Sequence, residues 1–365
     1  MKNYIINGTH ERYFKLKEDF EEIEYDKKHE LMRIKCEIDK IPSKKWERAK
    51  KKVNDYEYIY TSSRKNRNVC SIVPVSRSYF KIYEILKDIV ILDGEGIAGC
   101  IAEGPGGFIH CINDTTNIKV HGITLISETD KNIPFWNQQI INHEKNRLSY
   151  GKDNTGDIYQ IDNTREFIDS FGDESCDLVT ADGGFDYSSN YNSQESDSYR
   201  LLFSEIYIAL NIQKEGGSFL IKFFDIFNYK TIQLIYILFI SYQKINLFKP
   251  ITSRLSNSEK YIVCEGFTGF SRDIINAMYE KYNGDIIIDV PDTFIKEILK
   301  YNDSFVDKQI KTIREIISNI GPHSASHKEG RVDNDIKPSK EQIKNAREWC
   351  KKYDLPINEH CIYNV

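Results

Sequence analysis

Between about residues 70 and 270, short apolar runs alternate with stretches whose apolar positions recur at helical spacing. The runs at 97–102 (IAGCIA), 118–124 (IKVHGIT), 156–160, 176–181 (CDLVTA), 217–222 (GSFLIK), 245–249 and 260–266 (KYIVCEG) read as strands. Helices are expected near 76–87, 106–115, 197–213 and 229–242, the third ending before the stop signal Gly216-Gly217. This alternation predicts an α/β fold with a mainly parallel sheet, because parallel neighbours are joined by crossover helices. The last two strands flank only a short loop, ITSRLSNSE, which predicts an antiparallel pair closing the sheet. Residues 1–69 form a mixed, charged N-terminal extension, 70–275 the α/β domain, and 276–365 a helical C-terminal extension. Within the last, 322–340 reads as a polar linker and 340–353 as an amphipathic helix.

Composition narrows the class without deciding it. Of the 365 residues 40% are hydrophobic and 29% charged, and the net charge of −5 does not mark the whole chain as a nucleic-acid binder. Charge is uneven, however: residues 41–70 carry nine Lys or Arg, including Lys44, Lys45, Arg48, Lys50, Lys51, Lys52 and Arg64, against three acids. That excess suits phosphate attraction, and it equally suits a solvated helix face. The eight cysteines form no CxxC pair and no zinc spacing; Cys100, Cys176 and Cys264 fall in apolar runs as small hydrophobes. No signal peptide is read at Met1, and the longest apolar stretch, 232–240, contains Gln233 and is too short for a bilayer. A reducing intracellular compartment is therefore expected, cytoplasmic or nuclear, or a viral factory or virion; the Lys, Asn and Ile content separately suggests an AT-rich genome.

Two glycine-rich segments compete for a cofactor. Gly94-Glu-Gly-Ile-Ala-Gly99 matches GxGxxG, but its apolar strand follows Gly96 instead of preceding the motif, which argues against a nicotinamide dinucleotide site. Glu103-Gly-Pro-Gly-Gly-Phe108 follows a strand and opens a helix, where free N–H groups and the carboxyl end of a strand favour a ligand. Around it lie four polar residues: Lys81 ending SRSYFK, Asp182 in DLVTADGG, Lys222 in GGSFLIKFFD, and Glu259 in SRLSNSEKYIVCEGF. Asp182 and Lys222 end predicted strands and Glu259 precedes one, so a doubly wound sheet can bring them to one edge. Individually each is also explained as a solvated strand end.

Taken together, these residues resemble the FtsJ-like family of S-adenosylmethionine-dependent RNA ribose 2′-O-methyltransferases, whose Lys-Asp-Lys-Glu tetrad maps onto Lys81, Asp182, Lys222 and Glu259. Resemblance extends over about 70–270 and looks closest to the cap-specific mRNA branch through VTADGGFD, GGSFLIKFFDIF and KPITSRLSNSEKYIVCEGF. It implies a Rossmann-like methyltransferase fold: a mainly parallel seven-stranded sheet with an antiparallel last strand. It implies a cofactor site at Gly104, Pro105, Gly106, Gly107 and Phe108, with Asp157 and Ile158 at the adenine. Many members carry an acid where this chain has Cys100, so Glu103 is the candidate replacement. Lys50, Lys51, Lys52, Arg64, Arg77 and Arg254 are the candidate RNA contacts, with capping or transcription proteins as partners and no membrane.

The implied chemistry sets physical demands. A ribose hydroxyl is a poor nucleophile, so Lys222 is the candidate base, and an ordinary lysine must lose its proton first. Burial and a neighbouring cation, Lys81, are expected to lower its pKa, with Asp182 orienting it and Glu259 holding Lys81 and the ribose. No metal is required. Methylation inside ribosomal or transfer RNA is the alternative substrate, and a catalytically silent RNA-binding subunit the alternative role.

Overall fold

The structure is a computed structural model and describes residues 4–6, 10–90, 92, 94–127, 129–130, 133–173, 175–185, 191–269, 271–282, 284–320 and 336–363. Its strands are β1 (Tyr4–Ile6), β2 (Ile97–Ile101), β3 (Lys119–Ile123), β4 (Asn146–Ser149), β5 (Cys176–Ala181), β6 (Gln213–Phe223), β7 (Tyr242–Phe248) and β8 (Lys260–Phe267). They make one eight-stranded sheet in the order β1-β7-β8-β6-β5-β2-β3-β4. From β6 to β4 all neighbours are parallel, whereas β8 runs antiparallel to both β6 and β7. The late strands are therefore an antiparallel pair, as expected, but the last one inserts between the two before it. One strand more than the expected seven is present because Tyr4–Ile6 pairs with Ile245–Leu247 at the edge.

A strand expected at 156–160 is absent, and β4 at Asn146–Ser149 takes its place beside β3. Gly156 sits at φ +64°, and the Asp157 side chain accepts a hydrogen bond from the Tyr159 amide at 2.9 Å. That local closure makes a turn and competes with extended pairing.

The principal helices are α1 (Asp26–Ile38), α2 (Ser43–Val53), α3 (Ser78–Asp88), α4 (Gly107–Thr115), α5 (Gln138–Ile141), α6 (Ile161–Asp169), α7 (Gln194–Ile212), α8 (Tyr229–Ser241), α9 (Arg272–Glu280), α10 (Asp292–Ile320) and α11 (Lys340–Lys352). Both faces of the sheet are covered, which explains why its strands are apolar on alternate and intervening positions alike. Phe219, Ile221 and Phe223 of β6 join a core with α7, α8 and α10, while Leu220 joins the opposite core with α3 and α4. The apolar stretch 232–240 is buried in α8, and among the described residues no helix is long and apolar enough to cross a membrane.

The two extensions meet each other. Leu31, Ile34, Ile38, Trp46 and Ala49 pack against Val306, Ile310, Ile313 and Ile316, with Phe227 of the α/β domain in the same cluster. Helix α11 instead brings Trp349 and Cys350 onto Phe80 and Tyr83 of α3. Most of the expected linker, 322–335, lies outside the described residues.

Sheet direction sets where the site forms. The carboxyl ends of β2, β5 and β6 and the start of antiparallel β8 share one edge, and strand order reverses between β2 and β5. A crevice outside such a reversal is where open α/β sheets bind ligands.

Candidate active site

Four segments deliver the tetrad to that edge. Lys222 lies one residue from the end of β6, in register with Tyr261 of β8, and Asp182 follows the last residue of β5. Glu259 immediately precedes β8, and Lys81 projects from the first turn of α3. Lys81 Nζ donates to Glu259 Oε2 at 2.7 Å. Lys222 Nζ donates to the Asp182 carbonyl at 2.7 Å and stands 3.4 Å from its carboxylate Oδ1. Tyr261 donates to the same Asp182 Oδ1 at 2.8 Å, and Ser253 to the other Glu259 oxygen, Oε1, at 2.9 Å. All four residues expected to cluster are thus gathered.

The electrostatics depart from the expectation at Lys222. Burial does disfavour its charge, but the carboxylates of Asp182, Glu259 and Glu205 outweigh burial and hold its pKa above the ordinary lysine value. Lys81, paired with Glu259 at 2.7 Å, is not among the leading influences on it. Burial raises Glu259 too, yet Lys81, Lys222 and Lys249 win and hold its carboxyl at about 2. Two deeper acids behave in the opposite way: burial pushes Glu205 up to about 8 and Glu103 well above the carboxylate range. Within the tetrad, two lysines face two carboxylates.

Asp182, Lys222 and Glu259 line a cleft of about 910 Å³. Its far wall includes Gly104, Pro105, Thr124, Pro134, Asp157 and Ile158, so the expected cofactor turn and the Asp157–Ile158 segment face the same space as the tetrad. The remaining turn residues stand behind this wall. Gly106 is the N-cap of α4, Gly107 begins that helix, and Phe108 is buried against Tyr261. Glu103 is buried, its Oε1 accepts from the Thr180 hydroxyl, and it is not among the residues that line the cleft.

The wall would not admit side chains at two places. A Cβ on Gly104 would meet the Pro134 carbonyl at 2.2 Å, and one on Gly156 the Thr124 carbonyl at 1.8 Å. Apolar Ile158 and Pro134 beside acidic Asp157 form a cradle that fits an adenosine: a flat apolar base and hydroxyls that donate to a carboxylate.

A family model described as FtsJ-like methyltransferase matches residues 74–267. The chain belongs to the FtsJ-like methyltransferase family. Curated relatives include cap-specific mRNA (nucleoside-2′-O-)-methyltransferase 1 of Danio rerio, 30% identical over 84% of this chain and 40% of its own length. The Homo sapiens protein of that name is 29% identical over 79% of this chain and 38% of its own length. This chain therefore spans about two fifths of these relatives. A solved structure described as "a ribosomal RNA methyltransferase, putative, from Plasmodium falciparum" is 23% identical, covering 53% of this chain and 98% of its own, with a TM-score of 0.39.

In this FtsJ-like methyltransferase the nominated RNA-contacting side chains separate into two groups. Arg77 and Arg254 are engaged by buried Glu57: Arg254 Nε and Nη2 donate to its two oxygens at 3.0 and 2.9 Å, and Arg77 Nη1 stands at 3.5 Å. Lys50 lines the cleft, over Trp46 and paired with Glu47, while Lys51 is half-buried and Lys52 and Arg64 are exposed.

Several residues of the site escaped the sequence reading. Lys249 Nζ donates to Asn257 Oδ1 at 2.8 Å, to the Asn257 carbonyl at 2.9 Å and to the Glu259 carbonyl, shaping the loop that carries Glu259. Burial pulls its pKa down to about 7. The density of polar residues in KPITSRLSNSEKY was the available signal for Lys249, Ser253 and Tyr261. Glu205 lies inside the apolar pattern of α7, where no signal marks it.

Proposed function

We propose that this chain transfers a methyl group from S-adenosylmethionine to a ribose 2′-hydroxyl of RNA, at the capped 5′ end of mRNA. The observation that carries the reading is the gathering of Asp182, Lys222 and Glu259 at strand ends in one cleft with the Gly104–Pro105 turn, with Lys81 of α3 paired to Glu259. Gly104, Pro105, Asp157 and Ile158 would hold the cofactor, and the glycine cradle fits it. When bound, S-adenosylmethionine supplies an electrophilic methyl on a cationic sulfur.

The chain's own residues do the rest. Lys222 and Asp182 orient the hydroxyl, and Lys222 accepts its proton once its own has been lost. Lys81 and Glu259 fix the ribose from the other side and keep the charge balanced. Holding two reactants in near-attack geometry is worth at most roughly 7–11 kcal/mol, the largest effect available to such a site. The cap assignment draws on the names of the curated relatives, and an intracellular setting with capping or transcription proteins as partners accompanies it.

The deciding measurement is transfer of labelled methyl to RNAs identical except for the cap. Label is expected on capped RNA at least about tenfold above uncapped, the discrimination that one lost set of polar contacts produces. Equal labelling would move the substrate to internal sites such as those of ribosomal or transfer RNA. Absence of label on both would leave an RNA-binding subunit.

A further inference from the structure

Resting on the methyl-transfer reading above, we propose that Lys35 is a positioning residue for this reaction, tying together the three segments that form the tetrad end of the cleft. Lys35 belongs to α1, outside residues 74–267 that match the family, and is only 4% exposed. Its neighbours on the buried face of α1 are Leu31, Ile34 and Ile38, so an ammonium interrupts an apolar stripe. A buried ion pair is a weak stabiliser compared with apolar side chains of the same volume. What a lysine adds is three directed N–H donors on one atom.

All three point to segments of the cleft. Lys35 Nζ lies 2.6 Å from Asp225 Oδ2, 2.9 Å from Ser258 Oγ and 3.4 Å from the Tyr191 carbonyl. Asp225 is three residues beyond Lys222 and adjoins Phe224, whose ring centroid is 5.6 Å from Lys222 Nζ. Ser258 immediately precedes Glu259. Tyr191 lines the cleft with Phe224. From the other extension, Gln309 of α10 donates to the same Ser258 hydroxyl at 3.2 Å. The two helices that pack together outside the sheet thus converge on the residue before Glu259. Lys260 also serves Asp225 electrostatically, and its Nζ donates to the Phe224 carbonyl, so neutralising Asp225 does not require Lys35 alone. What Lys35 adds is one atom that reaches Asp225, Ser258 and the Tyr191 carbonyl together.

The test uses the full chain and separates charge balance from positioning. Lys35→Met leaves Asp225 with one cation fewer and is expected to lower the melting temperature; Lys35→Met with Asp225→Asn removes both charges and restores it. In the double variant kcat should remain about 100-fold down, the cost of an ångström-scale misplacement, while KM for S-adenosylmethionine stays within about threefold. Backbone amides of 251–259 should exchange with solvent at least about tenfold faster than in the wild type, with β2 and β5 unchanged. Recovery of wild-type kcat by the double variant would show that Lys35 only neutralises Asp225 and would overturn the proposal. So would wild-type exchange at 251–259, a readout that holds even if the wild-type chain transfers no methyl group and the functional reading fails by itself. Should neither Lys35 variant fold, Ser258→Ala keeps the ion pair and must still lower kcat by about tenfold at an unchanged melting temperature; a wild-type kcat there overturns the proposal equally.

Discussion

Two buried charge clusters built from the same ingredients lie side by side in this protein and do different work. In one, Glu57 is fully buried and takes Arg254 on both oxygens, with Arg77 and Asn54 completing it. In the other, Glu259 and Asp182 face Lys81 and Lys222 at the floor of an open cleft. Burial raises both Glu57 and Glu259, and in both the neighbouring cations win and hold the carboxyl below its usual range. The difference is in the cations. An arginine fork is planar, always charged and locks a carboxylate in place, whereas a lysine is a point charge that can exchange a proton and reorient. The arginine cluster joins the N-terminal extension to the 250–254 loop; the lysine cluster is left able to act on a ligand.

The comparison can be broken most severely at Lys222. Lys222→Ala is expected to reduce methyl transfer by about 10²–10⁴-fold with S-adenosylmethionine affinity retained, as measured by single turnover and equilibrium binding. Because the carboxylates hold Lys222 protonated, kcat/KM of the wild type should climb about tenfold per pH unit from neutrality toward the ordinary lysine range near pH 10.4. A flat profile would mean that Lys222 acts as a fixed cation and that the base is elsewhere. The arginine cluster should respond in stability instead. Glu57→Gln leaves two half-buried guanidinium groups without their carboxylate and should cost about 1–3 kcal/mol in denaturant unfolding, with kcat of the folded protein changed less than about tenfold. If kcat collapses while stability holds, the division between the clusters is wrong. The smallest effect is expected on the outer face of α2, where Lys44, Arg48 and Lys52 are exposed. Replacing all three by Ala should lessen the salt slope of RNA binding by about 2, with little change in kcat. An unchanged slope makes that face a solvated surface only.

The long elements of the α/β domain were legible because period-2 and period-3.6 burial is a local property. Helices expected at 76–87, 106–115 and 229–242 fall within two residues of α3, α4 and α8. The strand expected at 156–160 was misread, since apolar Ile158 and Tyr159 mimic a strand while Gly156 and the Asp157 side chain close a turn. The three-residue β1 is too short to show any period, and it forms because β7 offers an open edge.

By itself the sequence determined the fold class and the approximate strands and helices, and its resemblance to the family pointed to the four tetrad residues and the turn beside them. The elements depend on residue type and near spacing, which the chain carries directly. Only the tertiary structure decided that β8 inserts between β6 and β7, that Glu103 bonds Thr180 of the neighbouring strand, and that Lys35 reaches Asp225 across 190 positions. It also reversed the expected direction at Lys222. The physical reason is the same throughout: pairing partners distant in sequence and the balance between burial and surrounding charge are set by the summed three-dimensional field, which no local window contains.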